Sequence, residues 1–561
     1  MTNSQYGKSG CFPSRAFFLL MFVFLIQVVP NLFGNSDCGE EARDLTDGYF
    51  YWSGDVISEP THAPLSKGLF SLPIRLEGAY VRMHDKSLST TGRVFFFLKV
   101  WNKDRFERWL WEARGVALLF GIGLGAVIAW GVRRRPKPVQ WAALTLWAFE
   151  PTLLGFSVVA QSDIALAFVY GAAVLVWVEG RGRPWKAWTF GVLMGAAACM
   201  KYTGVMLMPV FIVLELLEAR KQRTPLRFVL FEFFRVLLGA FAVVCLVYGN
   251  ATLKIPGHPM PWKLFLSGMM SLTTADWYPA YFLGAVRQQH TFWYFPVAWV
   301  LKSGLAYLIL LGLAVWIVPR RNLPAWMWLP AFLFLLTFVH APNMGVRYLL
   351  PCAPFLIWVA AEGFGCLWEG AMGVPVKFSR ALGLALLLGQ VASTALAFPN
   401  HIGYFNDLVP KSERKYLLGD SNTDFGQDKG RLARRLEAEG LHQVKVSYFG
   451  GLPVILYGRL PELWPVQDAE RPEPGYSYAL GMEYEQLGPA YSEDAQKIVH
   501  GWVTRLPPDF WVGDNWRVWI NPYEKLFGRE GDKANPLRKP TTHFPKTGNK
   551  KVVRLQNPKF L

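Results

Sequence analysis

Long apolar runs constrain this chain more than any other feature of its sequence. A membrane-spanning α-helix needs about 20 consecutive apolar residues. Eleven segments approach that length, near residues 16–34, 113–132, 139–160, 164–179, 186–200, 202–218, 228–248, 293–318, 324–340, 347–366 and 380–397. Only 18% of the residues are charged, whereas soluble proteins carry about a quarter. The sequence therefore predicts an all-α polytopic membrane domain with about eleven transmembrane helices.

Basic residues concentrate in short loops between these runs. Lys and Arg number 58 against 41 Asp and Glu, which gives a net charge of +17. The main clusters are Arg133, Arg134, Arg135 and Lys137; Arg181, Arg183 and Lys186; Arg220, Lys221, Arg223 and Arg227; and Arg320 with Arg321. Short Lys/Arg-rich loops mark the cytoplasmic side of a membrane protein. Long loops at 35–112 and 249–292 are then predicted outside, and no nucleic-acid partner is predicted, because the basic residues do not form one face.

The part of the chain after the last apolar run has a different composition. We predict a membrane domain over 1–397 and an extracytoplasmic α/β domain over 398–528. A basic tail over 529–561 is predicted to be flexible or to lie on anionic lipid head groups.

Three polar residues of the α/β domain are predicted to bind a ligand: Asp420, Asn422 and Asp424. The stretch 415–419 predicts a strand, so Asp420 would lie at a strand's carboxyl end, where open α/β sheets bind ligands. Asp424 precedes Gln427 in capping-box spacing and predicts the start of a helix. Residues 444–449 predict the next strand.

The first long loop carries an unusual number of carboxylates directly after a spanning helix. Glu40 and Glu41 lead this group, and Asp44, Tyr49 and His62 follow as further candidates for substrate contact. A carboxylate at a membrane–water boundary can act as a general base on an acceptor hydroxyl. The alternative is a solvated acidic loop without a catalytic role.

Ionisable residues also occur inside or beside the apolar runs. Asp163 lies between two of them, and such groups are costly at membrane depth and tend to be functional; the alternative is a short turn. Lys201, His290, Lys302 and Arg347 lie near predicted outer helix ends and could bind a phosphate. Their alternative role is snorkelling to lipid head groups.

Six segments in order resemble the GT-C superfamily of polytopic glycosyltransferases. The resemblance is to bacterial phospholipid-carrier-dependent members near the protein O-mannosyltransferase and aminoarabinose transferase branch. The segments lie at 40–67, 150–163, 195–209, 287–303, 345–356 and 404–428. The family usually has Asp then Glu where this chain has Glu40 and Glu41, and the family His falls on Asp44.

The resemblance implies transfer of a sugar from a polyprenyl-phosphate-linked donor to an acceptor hydroxyl at the outer face of the bacterial cytoplasmic (inner) membrane. Glu40 would be the base in an inverting reaction, by analogy with inverting glycoside chemistry. Cations such as Lys201, His290 or Arg347 would stabilise the leaving phosphate. Protein, lipid and polysaccharide acceptors are all compatible with the resemblance.

Two other functions are compatible with the sequence. One is a transporter or flippase for a lipid-linked glycan, although no internal repeat is visible, as many transporters would show. The other is an inactive scaffold that keeps the fold. The loop carboxylates could also hold a divalent metal ion through oxygen ligands, but their spacing does not predict one.

Overall fold

The structure is a computed structural model. It describes residues 11–53, 62–81, 90–252, 260–274, 279–321, 323–339, 343–371, 373–449, 452–456 and 460–528. The predicted basic tail at 529–561 lies outside the described residues.

Helices dominate the first four hundred residues, and each of the eleven apolar runs is helical. The helices are α1 (Ser14–Gly34), α2 (Glu41–Trp52), α3 (Pro64–Phe70), α4 (Leu72–Glu77), α5 (Thr90–Phe95), α6 (Lys103–Val132), α7 (Lys137–Ala148), α8 (Pro151–Phe156), α9 (Ser162–Glu179), α10 (Lys186–Met200), α11 (Leu207–Gln222), α12 (Leu226–Thr252), α13 (Pro261–Thr274), α14 (Tyr294–Lys302), α15 (Leu305–Arg321), α16 (Leu329–Leu335), α17 (Ala353–Trp368) and α18 (Val376–Leu396). Short 3-10 helices join several of them. The prediction of an all-α membrane domain is confirmed.

Fewer helices can cross a membrane alone than the eleven predicted. Among the described residues, seven are long and apolar enough, or eight if α14 and α15, bent by 118°, form one span. The predicted span 139–160 is split between α7 and α8 by Pro151, and α10 has only 15 residues. The difference arises because polar breaks interrupt apolar runs that look continuous in the sequence.

Tryptophans mark one boundary of the helical domain. Five of them are 41–44% exposed and lie beside the basic loops: Trp130, Trp141, Trp185, Trp188 and Trp328. Half-exposed tryptophans typically sit at the membrane–water interface, where their rings are apolar and their N–H groups reach water. This end of the helices therefore has the character of an interface.

A small α/β domain follows α18. Its helices are α19 (Arg414–Leu417), α20 (Lys429–Ala438), α21 (Met482–Tyr491), α22 (Glu493–His500) and α23 (Pro522–Phe527), and its strands are β3 (Val444–Ser447), β4 (Glu462–Leu463), β5 (Ser477–Gly481), β6 (Phe510–Val512) and β7 (Trp516–Trp519). The sheet order is β4-β3-β5-β7-β6, with β3 parallel to both β4 and β5. Leu432 and Leu436 of α20 pack against one face. A hairpin of the second long loop, β1 (Ala280–Phe282) and β2 (Ala285–Arg287), packs beside this domain.

Two details of the predicted α/β domain are wrong. The stretch predicted as a strand at 415–419 is largely the helix α19, and Leu418 makes only a single bridge to Phe282 of the hairpin. Helix α20 begins at Lys429 and not at Asp424. The Gln427 side chain accepts from the Phe425 N–H and does not cap a helix. The intervening residues form turns because they pack against the first long loop.

That packing joins the two parts of the chain. The Gly39 N–H donates to the Phe425 carbonyl at 2.7 Å, and the Gly430 N–H donates to the Ser36 hydroxyl at 2.6 Å. A buried ion pair of 3.0 Å links Asp37 to Lys429. The segment before α2 therefore runs along the first turns of the α/β domain.

Candidate active site

Glu40 lies immediately before α2, where the first apolar helix gives way to the first long loop. Its carboxylate forms an ion pair with Arg43, and its Oε2 lies 3.2 Å from the Nε2 of His62. The side chain is 38% exposed, so a substrate can reach it. Burial alone would raise the pKa of Glu40, but His62 and two nearby arginines hold it well below its usual value. Glu40 is therefore ionised at neutral pH.

Asp163 binds two cations from other parts of the chain. Its side chain is buried in the first turn of α9. One carboxylate oxygen forms an ion pair with Lys201, and the other lies 3.2 Å from the Nη1 of Arg347. Arg347 also donates to the side-chain oxygen of Gln161. Because one carboxylate orients two cations, this ion cluster keeps an excess of positive charge.

Local breaks in the helices bring these residues together. Lys201 is a single extended residue between α10 and the short 3-10 helix that follows. Arg347 lies in a 3-10 turn that begins after Gly345, whose φ is +98°. A Cβ at Gly345 would overlap the Ser421 hydroxyl, and the positive φ also favours glycine. The break after α10 therefore places Lys201 against Asp163, and the turn that begins after Gly345 places Arg347 there.

The two cations also lie over aromatic rings. The Lys201 ammonium is 3.5 Å from the ring centroid of Tyr348, and the Arg347 guanidinium is 4.6 Å from that of Phe425. The buried Nε of Arg347 has no hydrogen-bond partner among the described residues. Leaving a buried donor unpaired costs about 1–3 kcal/mol. An anionic ligand would remove that cost.

Asp420 brings a carboxylate of the α/β domain to the same place. Burial raises its pKa, Arg347 lowers it in part, and Glu40 raises it further, so Asp420 lies within electrostatic range of both. Its Oδ1 accepts from the Ser421 N–H at 2.6 Å. Asp420 does not follow a strand: it is left-handed, with φ of +56°, which is uncommon for residues other than glycine.

Asn422 and Lys302 connect the α/β domain to the helices. The Asn422 amide donates to the Tyr294 hydroxyl and its Oδ1 accepts from the Val346 N–H, each at 2.9 Å. The buried Lys302 donates to the backbone carbonyls of Asn422 and Ile402. Both side chains thus hold the α/β domain against the helices at one wall of the site. Two of the three N–H donors of Lys302 are already used in this role.

Asp424 lies behind Asp420. Its Oδ1 accepts from the Gly426 N–H at 3.1 Å. Burial raises the pKa of Asp424 to about 6, and the neighbouring Asp428 contributes to the rise. The folded protein therefore keeps Asp424 protonated to a higher pH than the unfolded chain does.

We expect Asp424 to make the stability of the protein depend on pH. A rise in pKa from 3.8 to about 6 corresponds to roughly 3 kcal/mol. That stability is complete below the unfolded pKa and is lost as the pH rises through the folded one. Asp424→Asn, which cannot ionise, should flatten the fall in Tm between about pH 4 and about pH 7. The exposed Asp407→Asn serves as the control, and an unchanged slope in Asp424→Asn would contradict the expectation.

Glu41, the second member of the predicted catalytic pair, is fully buried and pairs with Arg114. The guanidinium donates to both carboxylate oxygens, at 3.0 and 2.6 Å. Glu41 also accepts from the backbone N–H groups of Cys38 and Ala160, each at 2.7 Å. It therefore ties the segment of Glu40 to the segment that leads to Asp163. Sequence reasoning missed Arg114, and the available signal was a cation at the start of an apolar run.

The remaining predicted residues lie around this centre. Asp44 is buried behind Glu40, 3.4 Å from the Lys67 ammonium. The Tyr49 hydroxyl lies 3.4 Å from a backbone carbonyl of the first long loop, and the His290 Nε2 lies 3.3 Å from the Phe338 carbonyl. None of these contacts reaches the ion cluster.

Metal ligation has no structural counterpart in the part of the chain that the structure describes. No three His, Cys, Asp or Glu side chains converge there as metal ligands would. The carboxylates of the first long loop are instead paired with cations, as Glu40 with Arg43 and Glu41 with Arg114 show.

No protein-family model matches the chain, and no curated protein matches it. Solved structures do match. ArnT from Cupriavidus metallidurans bound to undecaprenyl phosphate is 13% identical, with 86% of this chain and 96% of that chain covered and a TM-score of 0.47. The oligosaccharyltransferase AglB from Archaeoglobus fulgidus, in complex with an inhibitory peptide and a dolichol-phosphate, is 13% identical, with 68% of this chain and 55% of that chain covered and a TM-score of 0.41.

Proposed function

We propose that this protein transfers a sugar from a polyprenyl-phosphate-linked donor to an acceptor hydroxyl, at the face of the membrane opposite the basic loops. The observation that carries the proposal is an exposed, ionised Glu40 whose charge interacts with Lys201 and Arg347, the two cations that Asp163 orients. A base for the acceptor and cations for the leaving phosphate are the two requirements of this reaction.

The reaction follows from these positions. The acceptor oxygen attacks the anomeric carbon, and its proton moves to Glu40. The bond between that carbon and the phosphate oxygen breaks, and its electron pair stays on the phosphate. Lys201 holds the donor phosphate before and during this step, and Arg347, whose Nε is unpaired among the described residues, stabilises the charge that develops on it. Attack and departure on opposite faces of the sugar give inversion at the anomeric carbon.

An apolar cavity beside Lys201 supports a lipid-linked donor. It has a volume of about 300 Å³, lies between α10, α11, α12 and α13, and is lined by Ala198, Val205 and Phe265 among others. Ala198 and Val205 lie within four residues of Lys201 in the sequence, and we place the polyprenyl chain of the donor in this cavity, with its phosphate at the ion cluster. We assign the other candidates supporting roles: Asp420 contacts the sugar or the acceptor, and Lys302 and Asn422 brace the wall.

Lys201→Met should weaken donor use more than turnover. The ammonium contributes a charge-assisted hydrogen bond to the donor phosphate, worth about 1.5–3 kcal/mol. We expect the KM for the donor to rise about 10- to 100-fold, with a smaller change in kcat. Steady-state kinetics in detergent tests this, with the exposed Lys263→Met as control. An unchanged KM would contradict the phosphate assignment.

A proteoliposome assay separates transfer from transport. The purified chain is reconstituted with a polyprenyl-phosphate donor that carries a radiolabelled sugar, together with a membrane extract as the source of acceptor. We expect loss of the label from the lipid and its appearance in a new product. Movement of intact donor across the bilayer without cleavage would support a flippase and overturn the proposal.

A further inference from the structure

A second group of aromatic and charged side chains lies on the α/β domain. Tyr416 and Trp511 are 46% and 44% exposed. The Lys415 ammonium lies 4.8 Å from the first ring centroid and 5.9 Å from the second, so the two rings are neighbours. The proposed reaction uses none of these residues.

A charged pair borders the two rings. Arg517 of β7 is the strand partner of Trp511 of β6, and paired residues of antiparallel strands project to the same face. The Arg517 guanidinium lies 2.6 Å from the Glu485 carboxylate of α21. Arg517 is only 9% exposed, and its Nε has no hydrogen-bond partner within the described residues. A polar ligand would supply the missing acceptor.

A third ring connects this group to the candidate active site. Tyr281 of the hairpin lies beside it: burial, Glu485 and Tyr416 raise the pKa of its hydroxyl. A Cβ on Gly419 would lie 2.9 Å from the Tyr281 Cβ, so the chain passes beside Tyr281 directly before Asp420. We call Tyr281, Tyr416, Trp511, Arg517 and Glu485 the aromatic face.

The composition of the aromatic face fits a saccharide better than a lipid or a peptide. A sugar ring has apolar C–H faces, which suit aromatic rings, and a rim of hydroxyls, which suit a charged pair. A lipid tail would have to cover the Arg517–Glu485 pair without bonding to it, which is unfavourable. An extended peptide would need a strand edge, and the edge strand β6 has only three residues.

We propose that the aromatic face binds the saccharide portion of the acceptor, so that the acceptor of the reaction is a glycan or glycolipid. The inference rests on the proposed function, because it names the acceptor class of that reaction. The acceptor lies across Tyr416 and Trp511, and its terminal hydroxyl extends past Asp420 to Glu40.

Saturation-transfer NMR on the full chain in detergent tests the binding. The probes are four linear hexasaccharides, of glucose, mannose, galactose and N-acetylglucosamine, and a Ser/Thr-rich peptide. We expect at least one saccharide to bind, and Trp511→Ala and Tyr416→Ala to weaken it about tenfold each. Trp141→Ala, an equally exposed tryptophan beside a basic loop, should bind as the wild type does.

The outcomes are distinct. Three results would overturn the inference. The first is that no saccharide binds, and the second is that saccharide binding is unchanged in both aromatic variants. The third is that only the peptide binds and that Trp511→Ala abolishes its binding. Cleavage of the lipid-linked donor with water as acceptor is measured in parallel and should be unchanged in Trp511→Ala. Absence of transfer from the donor in the wild type, with the membrane extract as the source of acceptor, would refute the proposed function, while the saccharide binding is still measured independently.

Discussion

Glu40→Gln is expected to lower the rate of sugar transfer by about 10²- to 10⁴-fold, the usual contribution of a general base. The amide keeps the size of the side chain but cannot accept the proton. Donor binding should change little, because the cations that hold the phosphate are oriented by Asp163 and not by Glu40. Transfer and donor affinity are measured on the same purified protein.

Glu112→Gln is the matched control for this variant, since Glu112 is a similarly exposed carboxylate of α6 that pairs with an arginine. It should transfer sugar as the wild type does. Equal activity of Glu40→Gln and wild type would contradict the base assignment.

Arg114→Met is expected to destabilise the protein by about 3–5 kcal/mol, because it leaves the charge of Glu41 buried without a cation to balance it. Arg114 and Glu41 are both fully buried, and the guanidinium also binds the backbone carbonyls of Leu32 and Asn35. The measurement is thermal unfolding in detergent. We expect a clear fall in Tm. Activity should fall in parallel, because the backbone that positions Glu40 is no longer held by Arg114.

A double variant separates the effect of the unbalanced Glu41 charge from the effect of losing the Arg114 side chain. Replacing a buried ion pair by apolar residues is often neutral, so Arg114→Met with Glu41→Leu should recover much of the Tm. Arg134→Met removes an exposed pair with Glu179 and should cost less than about 1 kcal/mol. A double variant less stable than Arg114→Met alone would contradict this explanation.

The membrane helices could be predicted from the sequence because apolar runs are local. All eleven predicted runs are helical, and the break at Lys201 coincides with the interruption of its run. The number of full spans was less predictable, since a proline or a single extended residue divides a run without altering its hydropathy. In the α/β domain, the strand at 444–447 was predicted correctly.

Partners far apart in the sequence could not be predicted in the same way. Glu40 and Glu41 are adjacent, yet one is exposed and the other is buried against Arg114 because α2 begins between them. Lys201 and Lys302 both end a helix. Lys201 meets the carboxylate of Asp163, while Lys302 meets backbone carbonyls, and only the tertiary structure distinguishes these partners.

Imaging the protein with a polyprenyl phosphate in lipid nanodiscs, by electron cryomicroscopy, tests the central arrangement most directly. We expect the phosphate within hydrogen-bonding distance of Arg347 and Lys201, with the Glu40 carboxylate facing the position that the sugar would occupy. A phosphate bound elsewhere in the helical domain, or a Glu40 turned away from it, would contradict the account.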